Sequence, residues 1–319
     1  MEAIAALLTL FFHILIFPGL LFLFVFGLAA EFFDRKFYAR MQNRIGPPWY
    51  QTLADFIKLI GKEDMIPAAA DKVIFHLMPI FAVTAAVTAF MYVPLWSETG
   101  IYAFNGDVVV VLYLLTIPTL TFFLGGWYSR SVYSMLGAAR SLIQLFAYEV
   151  PLFMCILAAA MLADSWSFKG IVEFYSSHPG YWMFNILGLC IALISLLGKL
   201  EKTPFDIPEA ETEIVAGTFT EYSGKLLAFF KVALNIELVV GASVLAAVFL
   251  PFGYGLPLFG GIVMYFIKVL FIIFLVSLAH SVLARLRIDQ MINLCWKVFA
   301  PLAFLQVFIN LLVKGLLLK

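Results

Sequence analysis

Long apolar runs separated by short polar loops dominate the pattern along the chain. A helix crossing the hydrocarbon of a bilayer needs about 20 consecutive apolar residues. Eight stretches meet that length: 4–30, 73–95, 108–127, 141–162, 181–198, 226–250, 257–284 and 298–313. Runs such as FIIFLVSLA lack the period-two alternation of a membrane barrel strand, so they read as helices. Between the first two stretches, Leu53, Phe56, Ile57 and Ile60 recur at helical spacing while Asp55, Lys58 and Lys62 take the other side. That pattern predicts an amphipathic helix along the membrane surface, entered through the breaker Gly46-Pro47-Pro48. A solvated loop with snorkelling lysines is the alternative. The expected fold is an all-α integral membrane protein with eight transmembrane helices, an interfacial helix after the first, and a single transmembrane domain over 1–319.

Composition sharpens this picture. Hydrophobic residues make up 64% of the chain and charged ones 13%, against roughly 25% charged in soluble domains. Mean hydropathy is +1.02. Twenty Lys plus Arg balance twenty Asp plus Glu, and no basic stripe with stacking aromatics suggests nucleic acid. Cys155, Cys190 and Cys295 lie far apart in or beside apolar runs. They read as small hydrophobes, so any redox centre of this system would lie on another chain. The opening MEAIAALL lacks the basic leader of a secretory signal and reads as the start of a retained span.

Charge placement predicts orientation. The loops after spans one, three, five and seven carry Arg35, Lys36, Arg40, Arg44, Lys58, Lys62, Lys72, Arg130, Arg140, Lys199, Lys202, Lys225, Arg285, Arg287 and Lys297. The opposite side has Lys169, Lys314 and Lys319. Basic residues stay on the cytoplasmic side of a membrane. Both termini are therefore expected outside, with four charged loops facing the cytoplasm of a prokaryotic cell. Arg35, Lys36, Arg40, Arg44, Arg140, Arg285, Arg287 and Asp289 read as docking charges for a soluble partner, and Trp296 and Lys297 as interface anchors.

The loop after span five concentrates acids: Asp206, Glu209, Glu211, Glu213 and Glu221. Like charges crowded beside a membrane raise one another's pKa values, and a group poised near neutrality can load and release a proton. An acidic solvated face is the plainer reading. Ionisable groups within spans are costly and are functional candidates by default. Glu149 sits beside Pro151 in span four, Glu237 lies about twelve residues into span six, roughly 18 Å deep, Lys231 precedes it, and Lys268 is deep in span seven. The expected relay runs from Glu213 and Glu221 to Glu149 and on to Lys231, Glu237 and Lys268, with a purely structural ion pair as the alternative. His13 and His280 are marginal candidates, since a lone His in a span is more often a packed hydrogen-bonding group.

Several segments in order carry a resemblance. They are Asp34-Arg35-Lys36, Arg44-x-Gly46-Pro47, Ala54-Asp55-x-x-Lys58-Leu59 with Lys62-Glu63, Gly126-Trp127 through Gly137-Ala138-x-Arg140, Gln144 with Tyr148-Glu149-Val150, Thr203-Pro204-Phe205-Asp206 through Glu213 to Glu221-Tyr222, and Arg285-x-Arg287-x-Asp289-Gln290 with Trp296-Lys297. Nearly the whole chain resembles a membrane component of complex I, known as subunit 1 of the mitochondrial NADH dehydrogenase and as the H subunit in bacteria. That family spans quinone-reducing complexes and energy-converting nickel–iron hydrogenases. Three departures point away from the quinone type: the compact GPPWYQTLAD where complex I has a longer segment, Leu234-Asn235 where an Ala-Glu-Tyr stretch is usual, and Asp34 where the motif has Glu.

The resemblance implies an anchor and coupling subunit with no redox centre of its own. Cytoplasmic hydrogenase-like large and small subunits would carry iron–sulfur clusters and a nickel–iron or related centre. Antiporter-like and small membrane subunits would lie alongside in the lipid. Quinone is disfavoured as a ligand. A quinone-binding subunit, a sulfur-reducing relative and a stand-alone ion transporter are the alternatives. The quinone reading requires a lipid-side opening lined by spans one and six, with a cavity reaching the first charged loop.

Overall fold

The computed structural model describes the backbone of residues 2–317 and the side chains of residues 7–210 and 213–316. Among the described residues the regular structure is helical, and eight helical segments are long and apolar enough to cross a membrane. In chain order the helices are α1 (Glu2–Leu15), α2 (Leu20–Met41), α3 (Gln51–Ile60), α4 (Lys72–Phe90), α5 (Asp107–Tyr128), α6 (Val132–Ala163), α7 (Phe168–Ser177), α8 (Ile186–Lys199), α9 (Glu211–Ile214), α10 (Gly224–Phe249), α11 (Leu258–Val282), α12 (Ile288–Leu294) and α13 (Ala300–Leu317). The first expected span is broken in two between α1 and α2. Pro18 cannot continue the helix, and a Cβ at Gly19 would lie 1.9 Å from the Ile14 carbonyl oxygen. Only glycine allows the chain to turn there.

Helix α10 organises the bundle. Its inner half is apolar on all sides apart from Glu237 and Ser243, as a helix must be when neighbours surround it, and from Ile236 to Phe249 every residue is buried. Helices α2, α4, α8 and α11 pack against it. Helix α6 is the longest at 32 residues, about 48 Å at 1.5 Å per residue. It joins α5, α8 and α13 on the other flank. The predicted amphipathic helix is α3: Phe56 packs against Phe24 of α2 with ring centroids 4.7 Å apart, while Leu53, Ile57 and Ile60 stay exposed. The last span differs from expectation in its start. It is entered by α12 and a π-helical turn at Cys295–Phe299 before α13.

The loop joining α8 to α10 folds back into the bundle. Gly217, at φ +52, presses against α6 so closely that a Cβ on Gly137 would meet the Gly217 and Thr218 backbone at 2.5–2.7 Å. Ser134 of α6 donates to the Gly217 carbonyl at 3.3 Å. Phe219 and Tyr222 sit against Phe230, and Tyr222 stacks on Phe75 at 4.0 Å. Aromatic burial thus holds a polar, acid-rich loop in place.

Candidate functional site

Two clusters of ionisable groups lie at the loop end of the bundle, with a third below them. The outermost is built on α6 and the loop before α12. Arg140 donates to Glu213 at 2.6 Å, and Arg285 reaches both Asp206 at 3.1 Å and Glu213 at 3.3 Å. The Arg140 hydrogen bond leads in holding the Glu213 carboxyl below the usual range. Burial pushes Asp206 up despite Arg285. Arg140 and Arg285, expected as docking charges, therefore bind the acidic loop of their own chain. Arg40, Arg44, Arg287 and Asp289 are exposed, and Lys36 donates to the Pro47 carbonyl at 3.4 Å.

The second cluster lines a polar cavity of about 280 Å³ between α2, α10, α11 and the loop after α8. Lys202 reaches Asp34 at 2.5 Å, and Ser277 donates to the other Asp34 oxygen at 2.6 Å. Lys231 pairs with Glu209 at 2.6 Å. Arg35 bridges Glu31 and Asp55, lying 2.9 Å from Asp55, and Asn235 donates to Glu31 at 2.5 Å. His280 stacks on Tyr38 at 4.2 Å. Glu201 is 5% exposed and faces this cavity. It accepts from Ser141 at 3.2 Å. Burial, reinforced by the Glu209 charge, raises its pKa to about 8.

Below lies the third group, in the core. Lys199, 2% exposed, stands 2.9 Å from Glu237, 0% exposed, and also donates to the Leu115 carbonyl. Among the described residues neither Glu237 oxygen has a well-aligned donor, and Glu149 Oε1 is buried without one. Glu149, Tyr148 and Lys199 share the wall of a small cavity of about 20 Å³.

The pairings differ from those suggested by order along the chain. Lys231 neutralises Glu209 and not Glu237. Lys268 lies over the Tyr254 ring, 3.8 Å from its centroid, and pairs with no carboxylate among the described residues. Glu221 is half-buried at the loop end. The Glu211 side chain lies outside the described residues. Lys199, which reads as a loop lysine in the sequence, is the last residue of α8 and faces inward. Glu201 carries no mark of its role in the charge pattern. Both sit among leucines in LLGKLEK, and that apolar flanking is the available signal. Among the described residues no three His, Cys, Asp or Glu side chains gather as metal ligands.

Two further cavities adjoin α3. One, about 460 Å³, is lined by the apolar Leu15, Leu20, Leu21, Phe24, Phe56, Val83, Phe229 and Val232. The other, about 400 Å³, shares Phe56 and Val232 and turns polar with Glu31, Arg35, Asp55, Lys58, Lys62 and Lys231.

The chain has relatives among known proteins. It matches the family model described as NADH dehydrogenase over residues 13–311. It is 37% identical over 292 residues to the H subunit of NADH-quinone oxidoreductase from Syntrophotalea carbinolica, covering 87% of this chain and 88% of that one. It is 37% identical over 311 residues to the H 2 subunit of NADH-quinone oxidoreductase from Geobacter sulfurreducens, covering 92% and 93%. Among solved structures it resembles a chain of the membrane-bound sulfane sulfur reductase, an archaeal respiratory membrane complex, with a TM-score of 0.82 and 26% identity over 91% of this chain and 96% of that chain.

Proposed function

The chain belongs to the NADH dehydrogenase family that includes the H subunit of bacterial NADH-quinone oxidoreductases, and on that basis we propose that it couples electron transfer to ion movement within a membrane oxidoreductase complex. A soluble electron-transfer module with iron–sulfur clusters and a hydrogenase-like large subunit docks on the charged loops, which face the cytoplasm. Reduction beside the acidic loop changes the local potential, and carboxylates in the cavity gain or lose protons in response. Glu201 carries this reading. It is buried between the Lys231–Glu209 cluster and the core pair, and a pKa of about 8 makes it a proton store near neutral pH. The protons continue toward Glu149 and Glu237. Exposed Arg40, Arg44, Arg287 and Asp289 remain free for docking, while Arg140 and Arg285 hold the loop that senses the module.

The test is Glu201→Gln and Glu149→Gln in the purified complex. Electron transfer persists and vesicle acidification is lost. Full acidification by both variants would end the relay reading.

A quinone-reducing complex is the second reading, favoured by the paired cavities on α2, α3 and α10. An apolar opening leading to a polar pocket suits an isoprenoid tail and a polar head. The compact GPPWYQTLAD segment favours the hydrogenase type instead. Nickel in the co-purified subunits supports the hydrogenase type. Photoreactive quinone labelling of α3 or α10 without nickel supports the other.

A further inference from the structure

The two cavities beside α3 adjoin each other, and we propose that together they hold one anionic glycerophospholipid of the surrounding bilayer, its phosphate at Lys58 and Lys62 and an acyl chain in the apolar cavity. The inference does not rest on the relay reading. It gives to a lipid the space that the quinone reading would fill.

Continuity and depth come first. The apolar cavity of about 460 Å³ and the polar cavity of about 400 Å³ share Phe56 and Val232 as walls. The apolar one opens sideways at the break between α1 and α2, where Leu15, Leu20 and Leu21 are exposed, and at the exposed Phe229 of α10. Such an opening meets hydrocarbon, so an acyl chain enters it without leaving an apolar environment. The polar cavity lies along α3, whose exposed Leu53, Ile57 and Ile60 set that helix at the boundary between headgroups and acyl chains. A lipid phosphate belongs at that depth.

Charge chooses the occupant. Four cations line the polar cavity, Arg35, Lys58, Lys62 and Lys231, against two carboxylates, Glu31 and Asp55. Arg35 bridges both carboxylates, and Lys231 is held by Glu209 at 2.6 Å. Lys58 acts on Asp55 only from beyond ion-pair distance, and among the described residues neither Lys58 nor Lys62 forms an ion pair. Asp64, which follows closely in the chain, is spent elsewhere: it accepts from the Lys225 amide at 2.7 Å. Two ammonium groups four residues apart at the end of a helix repel each other, and an anion beside both removes that repulsion. A quinone head is uncharged and leaves the excess in place. A soluble phosphate would neutralise it but leave the apolar cavity unfilled. A phosphodiester carrying acyl chains does both, and basic pockets between helices on the cytoplasmic side of a membrane bind such headgroups.

The complete complex is reconstituted in phosphatidylcholine vesicles that contain a trace of photoreactive phosphatidylglycerol or, in parallel, of photoreactive phosphatidylcholine, each with its reactive group on the acyl chain. Cross-linked peptides are identified by mass spectrometry. Phosphatidylglycerol is expected to label the peptides bearing Phe56 and Phe229 about twenty-five-fold more than phosphatidylcholine does, at about fivefold for each of two lysines near a membrane surface. Lys58→Gln/Lys62→Gln is expected to bring the two probes level. Lys58→Arg/Lys62→Arg is expected to keep the preference, which separates loss of charge from loss of fold. Equal labelling by the two probes in the unaltered complex, or an undiminished preference in the glutamine pair, would overturn the proposal. Displacement of the phosphatidylglycerol probe by inorganic phosphate would assign the lysines to a soluble anion, and displacement by a menaquinone analogue would return the cavities to a quinone; either result also overturns it. Acidification is not read here, so the relay reading stands or falls separately.

Discussion

The same side chain does opposite things at two places in this protein. Glu213, solvated and gripped by Arg140, is held as an anion. Glu201, buried beside Glu209, holds its proton to about pH 8. The folded state keeps the Glu201 proton in a range where the unfolded chain has released it. Unfolding is therefore favoured as pH rises from the ordinary carboxylate range toward about 8, and stability falls. Thermal unfolding of the complex across that range is expected to show the decline, and Glu201→Gln to flatten it. An unchanged slope in the variant would assign the decline to other groups. The Lys199–Glu237 pair makes a second prediction. Glu237→Gln strands a buried ammonium and is expected to cost about 3–5 kcal/mol, whereas Lys199→Met with Glu237→Leu recovers most of that loss. Denaturant midpoints of the three proteins test it. Glu149 and Glu237 are legible as candidates because acids inside apolar runs are conspicuous. Lys199 and Glu201 are not, because a charge at the end of a run reads as a loop residue until the neighbouring helices are in place.

Among the helices, existence follows from hydropathy, and local breaks follow from residue chemistry. Pro18-Gly19 divides the first span at a point an apolar count could not reveal, since both residues are compatible with an uncharged run. The loop after α8 is the segment whose position matters most. Glu213 and Glu201 reach Arg140 and Ser141 of α6 beside the point where Gly137 and Gly217 let two backbones touch. Gly137→Ala is expected to push that loop outward at a cost of about 1–3 kcal/mol. Proteolysis within residues 200–223 should then quicken. Helix α3 presents Leu53, Ile57 and Ile60 outward, as an amphipathic helix does at a membrane surface. Leu53→Glu with Ile57→Glu is expected to free it from lipid, read as faster exchange of its backbone amides.

The assembled bundle has an exterior that water cannot solvate. Leu7, Leu8, Phe11 and Phe12 on α1, and Phe304, Phe308 and Leu312 on α13, are exposed large apolar side chains, which lipid or neighbouring membrane chains must cover. The bias of basic residues toward one set of loops predicts that those loops face the cytoplasm. Cysteine introduced at Arg44 is expected to react with impermeant maleimide only from the cytoplasmic side, and cysteine at Lys169 only from the opposite side. The reverse pattern would invert the proposed topology.

Hydropathy and basic-residue bias are properties that accumulate along a line, and each span must satisfy the bilayer by itself. Span number, helical class and family membership are accordingly readable from residue order alone. Which cation meets which carboxylate is a different kind of fact. Glu237 faces Lys199 and not Lys231 because α10 and α8 pack at one rotation about their axes. That rotation is set by interlocking side chains from several helices at once, so no single segment encodes it.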